Sequence, residues 1–485
     1  MKVVTGIFAF AFSTSLSRLI AFGVQIVLGW YLSKSDYGLY GIAVSVTVIG
    51  SCFRGTSLQK LFIQQHKSIC KLQSVDSSLS LLFAVVLSFL LTIGSFLYAS
   101  ARGEPLIIWL VMLIASSALL SYEAPACRAK LMVSSNYSSV ARIDFYKNSL
   151  ASILSVPLAM IGFGAFSFVV QRPLISILEM FAYWRLSALS FRNNVSVSDL
   201  GHYLLENYKS LIWLMLIGGL IGFLLNGDYM VLGLFVSPEV VGVYYFGFQL
   251  VAAFGNMISG AIIGNVLMPR MSSLVEDENA QRAFYGKALL AVLVVVYPIM
   301  FISAALIGEL IEFIWGAKWL ESVIVAQALL LIMPIRMSSY MLRAFFESCG
   351  LWKRAFFVMV INALILFIAA AGGAIIGSIN AISIAMALAY LTYGLGCLVV
   401  SCAYIKKVEP CIVLSVIKIN VIYALAFIVF LFVYAMGVVK LGVFLAFALI
   451  ALFFAIHAFL IRKESASALL PILKFASQYI QKLKK

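Results

Sequence analysis

The sequence is poor in charged residues and in side chains that bind metal ions. Only 11% of its 485 residues are charged and 64% are hydrophobic, whereas soluble proteins have about 25% and about 50%. Its seven cysteines form no C-x-x-C pattern and its three histidines lie far apart, so neither a metal nor a cofactor is predicted. P-loop and G-x-S-x-G motifs are also absent, which argues against a P-loop ATPase or an α/β hydrolase. No catalytic residue is predicted, and we do not expect an enzyme.

The composition indicates an all-α integral membrane protein. Apolar runs of about 20 residues, the length that a helix needs to cross a bilayer, recur along the whole chain. We predict about fourteen transmembrane helices, with twelve as the lower bound. The predicted spans are 7–32, 37–62, 78–100, 105–122, 139–161, 165–189, 210–235, 240–267, 284–306, 321–342, 355–376, 379–403, 412–436 and 440–461.

A G-x3-S-x4-G-x-Y pattern occurs twice, 204 residues apart. The first copy consists of Gly29, Ser33, Gly38 and Tyr40, and the second of Gly233, Ser237, Gly242 and Tyr244. A second pattern, Arg-Ala followed by an aromatic residue, begins at position 128 and again at position 343. The chain therefore reads as two copies of one unit of about 200 residues. In a membrane protein such duplication is typical of a two-lobed transporter with its site between the lobes.

The duplication divides the chain into five predicted segments. These are an N-lobe of six helices (1–190), a cytoplasmic connector (191–208), a C-lobe of six helices (209–405), an extra helical hairpin (406–464) and a basic amphipathic cytoplasmic tail (465–485). Six spans separate equivalent helices, so both copies enter the membrane in the same orientation. An axis along the membrane normal is expected to relate them.

The distribution of positive charge predicts the topology. If the N-terminus is cytoplasmic, 25 of the 34 Lys and Arg residues fall on the cytoplasmic side and only four in the opposite loops. This asymmetry follows the positive-inside rule and predicts that both termini are cytoplasmic. The net charge of +15 therefore requires no nucleic-acid partner.

The first span carries a polar stripe. Thr14, Ser17, Arg18 and Gln25 fall within about 100° of arc on a helix. An arginine at the bilayer centre costs about 2.5–3.5 kcal/mol on insertion scales, so something must compensate it. Arg18 is predicted either to line a hydrated cavity or to form a buried pair with a carboxylate.

Other polar residues in spans extend the list of candidates for substrate binding. Gln249 and Asn256 form a matching stripe on the eighth span, close to Tyr245. Arg336 lies in the inner half of the tenth span, and Arg54 ends the second span on the cytoplasmic side. Either arginine could bind a phosphate, or it could serve only as a positive charge that sets the orientation of its helix in the membrane.

Three acids inside spans are candidates for ion coupling or for structural pairing. Glu179 shares a helix face with Arg172, which leaves a structural pair and an ion relay both open. Asp144 and Lys147 are three residues apart, and we expect them to pair with each other. Asp228 is a candidate for cation or proton coupling, or else a helix cap. If the acids are paired while the arginines line the cavity, the cavity favours anions.

Several segments resemble bacterial polysaccharide transporters, the Wzx-type flippases of the multidrug/oligosaccharidyl-lipid/polysaccharide exporter (MOP) superfamily. Residues 32–40 (LSKSDYGLY) and 226–244 (NGDYMVLGLFVSPEVVGVY) are similar to the segments that open each lobe. Residues 268–274, 315–320 and 343–354 are similar to later segments of that family. The order and spacing of these motifs carry the resemblance.

The resemblance implies two six-helix lobes, alternating access and a central cationic cavity. Its implied cargo is an oligosaccharide linked to undecaprenyl diphosphate, moved from the inner to the outer leaflet of the bacterial inner membrane for the synthesis of O-antigen, capsule or exopolysaccharide. Arg18 and Arg54 would then hold the diphosphate. Membrane lipids, and a polysaccharide polymerase with a chain-length regulator, are the partners to consider.

Two other function classes stay open at this stage. The first is a cation-coupled multidrug or small-molecule antiporter of the same superfamily. The second is a membrane polysaccharide polymerase or ligase, for which Glu309 and Glu312 in an outer loop are weak candidates.

Overall fold

The computed structural model describes residues 2–64, 69–134, 136–187, 197–259, 267, 270–271, 273–274 and 276–435. These residues form fourteen α-helices and no β-strand. The prediction of an all-α membrane protein with about fourteen helices is confirmed. Seven helical segments in this part of the chain are long and apolar enough to cross a membrane, or eight if one bent pair counts as a single span. The predicted span 440–461 and the tail 465–485 lie outside the described residues.

The helices of the first half of the chain follow the predicted spans, with one addition. They are α1 (Lys2–Tyr31), α2 (Lys34–Gln64), α3 (Ile69–Arg102), α4 (Leu106–Leu120), α5 (Ala124–Val133), α6 (Tyr137–Met160), α7 (Arg172–Ser187), α8 (Val197–Gly233) and α9 (Pro238–Ser259), with a 3₁₀ helix at Gly164–Phe168 before α7.

The helices of the second half are α10 (Glu278–Trp315), α11 (Ser322–Ser348), α12 (Trp352–Ile376), α13 (Ile379–Lys406) and α14 (Pro410–Ala435), with a 3₁₀ helix at Gly316–Trp319. Local sequence sets several of their ends. Asp277 and Ser378 accept the backbone N–H groups of Ala280 and Ala381, so they cap α10 and α13. Gly377, at φ +79°, ends α12 in the left-handed conformation that favours glycine.

Helix α5 is the helix that the hydrophobic pattern did not predict. It follows α4 after a bend of 47°, and Pro125 sits in its first turn, where a proline is tolerated. Its charged residues, Arg128 and Lys130, hide it from a search for apolar runs. Buried side chains of α5 nevertheless contribute to two hydrophobic clusters, one with α2, α3 and α8 and one with α6 and α7. This central position holds Arg128 inside the helical bundle.

The chain divides into two compact units, Met1–Phe246 and Gly247–Lys485. This boundary falls within α9, whereas the sequence repeat places it near the connector at 191–208. In the first unit α8 packs along α2, and α8 already begins at Val197. The division into two six-helix lobes therefore stays a prediction.

One end of the first unit is tied together by polar contacts among its turns. Asp36, after the α1–α2 turn, accepts the backbone N–H of Ala165 in the 3₁₀ helix at 2.9 Å. At the end of α3, Tyr98 donates to the carbonyl oxygen of Gly233 at 2.6 Å, and Arg102 donates to that of Val236 at 2.8 Å. The α1–α2, α6–α7 and α8–α9 turns and the end of α3 are each held by at least one of these bonds.

In the second unit α14 is anchored to α10. The rings of Tyr297 and Tyr423 stack with their centroids 3.9 Å apart, and the Tyr297 hydroxyl donates to Asn420 Oδ1 at 2.5 Å. Helix α14 therefore packs on the duplicated part of the chain although it lies outside the repeat.

Candidate functional site

The polar stripe on α1 divides into an inward-facing and an exposed part. Ser17 is buried, and its hydroxyl donates to the Thr14 carbonyl oxygen at 3.0 Å. Arg18 is exposed, while Thr14 and Gln25 are half-buried. The Nε2 atom of Gln25 is buried without a hydrogen-bond partner in the part of the chain that the structure describes.

The acids of α6 and α7 take partners that spacing along the chain did not predict. Asp144 forms a bidentate pair with Arg128 of α5, at 2.8 and 2.9 Å. Lys147 contacts both carboxylate oxygens of Glu179, at 2.7 and 2.8 Å. The predicted Asp144–Lys147 pair is therefore wrong, because neighbouring helices supply better-placed partners for both residues.

Arg172 does not pair with Glu179 either. Its Nη2 donates to the Tyr40 hydroxyl at 2.5 Å and its Nε donates to the Phe168 carbonyl oxygen at 3.1 Å. The guanidinium also lies 5.5 Å from the centroid of the Tyr40 ring. Tyr40 belongs to the first copy of the repeated motif, so this arginine is tied to the α1–α2 region.

The equivalent tyrosine of the second copy also holds a charged residue. The Tyr244 hydroxyl donates to Asp228 Oδ2 at 3.0 Å, and the Tyr229 backbone N–H donates to Oδ1 at 3.1 Å. Asp228 is buried. The two tyrosines of the duplicated motif therefore bind charges of opposite sign, a role that the sequence analysis missed although the motif marked both positions.

In the second unit Arg336 lies in an aromatic cage. Its guanidinium carbon is 3.8 Å from the centroid of Tyr390 and 5.7 Å from those of Phe248 and Tyr340. A guanidinium stacks favourably on aromatic faces, so the cage fixes its orientation. Gln249, next to Phe248 on α9, is half-buried.

The remaining candidates lie at the edge of what the structure describes. Arg54 belongs to α2 and Asn256 to α9, but their side chains are outside the described part. Within the described ranges, no group of three or more His, Cys, Asp or Glu residues is arranged to hold a metal ion.

Comparisons with known proteins identify the family. A profile described as polysaccharide biosynthesis protein matches residues 27–324. The chain is 21% identical over 313 residues to the succinoglycan biosynthesis transport protein ExoT of Rhizobium meliloti. That match covers 63% of this chain and 61% of the relative, so it spans less than two thirds of the relative's length.

Two solved structures share the fold. The lipid II flippase MurJ, in an inward closed conformation, superposes with a TM-score of 0.69 at 16% identity over 93% of this chain and 98% of that one. A MOP superfamily transporter from Pyrococcus furiosus gives a TM-score of 0.54 at 12% identity over 84% of this chain and 97% of that one. The resemblance inferred from the motifs is confirmed: the chain is a multi-pass membrane protein that belongs to the polysaccharide biosynthesis protein family, with the helical fold of the MOP superfamily.

Proposed function

We propose that the protein is a flippase that moves undecaprenyl-diphosphate-linked oligosaccharide repeat units from the inner to the outer leaflet of the bacterial inner membrane. The product would serve the synthesis of O-antigen, capsule or exopolysaccharide. Transport proceeds by alternating access, and both termini are cytoplasmic. The observation that carries the proposal is an exposed arginine, Arg18, in the middle of an apolar helix of a polysaccharide-family membrane protein.

The physical need for such a residue is clear. A diphosphate and its sugars cannot enter hydrocarbon unaided, because removing them from water costs many kcal/mol. An arginine supplies charge-assisted hydrogen bonds to phosphate oxygens. The polyprenyl chain can stay in the lipid while the headgroup crosses. In this account Arg18 and Arg54 bind phosphate, and Thr14 and Gln25 contact the rest of the headgroup. Gln249, Asn256 and Arg336 of the second unit are further candidates for substrate binding.

The setting of the acids supports an anionic cargo. Arg128 binds Asp144, Lys147 binds Glu179, and Tyr244 binds Asp228. A site for cationic drugs needs accessible carboxylates, and these three are already engaged. This favours the flippase over the alternative multidrug antiporter. The proposed transport forms no new glycosidic bond, so it involves no polymerase or ligase reaction.

Asp228 and Glu179 are our candidates for ion coupling, because each is a buried carboxylate inside a predicted span. Asp228→Asn is expected to make transport insensitive to an imposed proton or sodium gradient. Gradient-dependent transport at the normal rate in this variant would remove Asp228 from that role.

A genetic experiment tests the proposed function. Deleting the gene should abolish surface polysaccharide and cause lipid-linked repeat units to accumulate in the inner leaflet. Arg18→Ala should reproduce that loss with normal protein levels in the membrane. Normal polysaccharide in the deletion strain would contradict the proposal, and normal polysaccharide with Arg18→Ala would remove Arg18 from the site.

A further inference from the structure

Lys147 of α6 is a half-buried cation paired with a buried acid. The side chain of Glu179 is 5% exposed and that of Lys147 is 40% exposed. Both carboxylate oxygens lie within 2.8 Å of the ammonium. A lysine ammonium has three N–H donors, and the hydrogen bond to Glu179 Oε1 uses only one of them. Glu179 therefore fixes the position of the Lys147 ammonium and leaves part of the lysine side chain exposed.

The turns of the first unit show that α1 and α6 end at the same level. Helix α1 packs along α6. Asp36 accepts the Ala165 backbone N–H at 2.9 Å, and it also accepts the backbone N–H and the hydroxyl of Ser33. Asp36 therefore joins the turn after α1 to the turn after α6, and the two helices run in the same direction.

This alignment brings Arg18 and Lys147 to one depth. Arg18 lies thirteen residues before Tyr31, the last residue of α1, and Lys147 lies thirteen residues before Met160, the last residue of α6. At about 1.5 Å per residue, each is about 20 Å from the tied end. Arg18, which is exposed, and Lys147, whose side chain is 40% exposed, thus lie at the same level on two packed helices.

The other ions of this cluster are less accessible. Arg128 is engaged at both terminal nitrogens by Asp144. Asp144 lies within electrostatic reach of Arg128, Lys147 and Glu179, and these four charges cancel. Arg18 on the adjacent helix adds a further positive charge at this depth. Because each phosphate of a lipid-linked diphosphate carries negative charge, two cations at one depth suit such a group better than one.

We propose that Lys147 is a substrate-binding residue, and that Lys147 and Arg18 contact the two phosphates of the lipid-linked diphosphate. Glu179 is then a positioning residue. This inference rests on the proposed function and deepens it. It also reverses the sequence-based interpretation of Lys147 as one half of a structural pair.

A charge swap separates binding from structural pairing. In the double variant Lys147→Glu/Glu179→Lys the ion pair can re-form, but the exposed side chain becomes acidic. The probe is undecaprenyl diphosphate without sugars, with undecaprenol as the uncharged control, added to full-length protein in lipid nanodiscs. Binding is measured as Kd and folding as Tm.

Wild-type protein is expected to prefer the diphosphate over undecaprenol. The swap, and the neutral pair Lys147→Gln/Glu179→Gln, should weaken diphosphate binding about tenfold or more, as expected for the loss of a hydrogen bond to a charged group. Lys147→Arg should retain most of the affinity. Arg142→Ala, which removes an exposed arginine of the same helix, is the matched control and should bind as wild type does.

Two outcomes would overturn the inference. If a swap or neutral-pair variant with a normal Tm binds the diphosphate as tightly as wild type, Lys147 serves only the ion pair and the proposed function stands. If wild-type protein shows no preference for the diphosphate, the proposed function fails together with this inference.

Discussion

Gly38 and Gly242, equivalent positions of the duplicated motif, lie directly against each other. A Cβ atom on Gly38 would lie 1.7 Å from the carbonyl oxygen of Pro238, and one on Gly242 would lie 1.8 Å from that of Lys34. Lys34 and Pro238 are themselves 204 residues apart. Each copy therefore places its glycine on the helix start of the other, the reciprocal pattern that a local two-fold axis produces.

Alanine at either glycine is expected to destabilise the protein. Gly38→Ala and Gly242→Ala push a methyl group into a backbone carbonyl, and overpacking of this kind costs about 1–3 kcal/mol. Because the contact is reciprocal, the two variants should lower Tm by similar amounts. Gly94→Ala is the control, since a Cβ there meets nothing within 4 Å. Tm values equal to wild type for both variants would refute this packing.

The motif tyrosines should matter through their hydroxyl groups. Tyr40→Phe leaves Arg172 without its hydroxyl partner, and Tyr244→Phe does the same to Asp228. Each change should cost about 1.5–3 kcal/mol of unfolding free energy, the usual contribution of a hydrogen bond to a charged group. Tyr146→Phe, at a residue that is 67% exposed, should change little. Equal stabilities of all three variants would contradict the assigned contacts.

The Arg128–Asp144 pair offers a test of the ionic cluster. Arg128→Ala leaves the half-buried Asp144 carboxylate without its bidentate partner, which should cost about 1–3 kcal/mol, less than the loss of one partner from a fully buried pair. The double variant Arg128→Ala/Asp144→Ala should recover part of that loss. A double-mutant cycle on unfolding free energies gives the coupling, and a coupling near zero would show that the pair contributes nothing.

The cage around Arg336 predicts that lysine cannot replace it. A lysine keeps the charge but lacks the planar guanidinium that stacks on Tyr390 at 3.8 Å. Arg336→Lys should therefore lower surface polysaccharide nearly as much as Arg336→Ala, with unchanged protein levels in the membrane. Lys353→Arg, at an exposed position at the start of α12, is the control substitution. Full activity of Arg336→Lys would show that charge alone suffices.

The sequence predicted most of the fold because hydrophobic runs report directly on spanning helices. It missed α5, whose charged residues interrupt the apolar pattern although its other side is buried. The duplication was predicted from the repeated motif. In the structure the two copies of the motif pack against each other at Gly38 and Gly242.

The ion pairs could not be predicted in the same way. Helical periodicity says which residues share a face of one helix, but not which neighbouring helix that face meets. Lys147 and Glu179 are 32 residues apart, and Arg172 and Tyr40 are 132 apart. Only the packing of α2, α5, α6 and α7 brings these groups together.

Translocation by purified protein in sealed vesicles tests the central claim most directly. The cargo is an oligosaccharide linked to undecaprenyl diphosphate, and the readout is its arrival in the opposite leaflet, measured with a membrane-impermeant sugar-modifying enzyme. Wild-type protein should speed this crossing, and Arg18→Ala should reduce it to the rate of protein-free vesicles while retaining a normal Tm. If Arg18→Ala supported crossing at the wild-type rate, this would contradict the claim that an arginine in the middle of a spanning helix binds the diphosphate headgroup as it crosses.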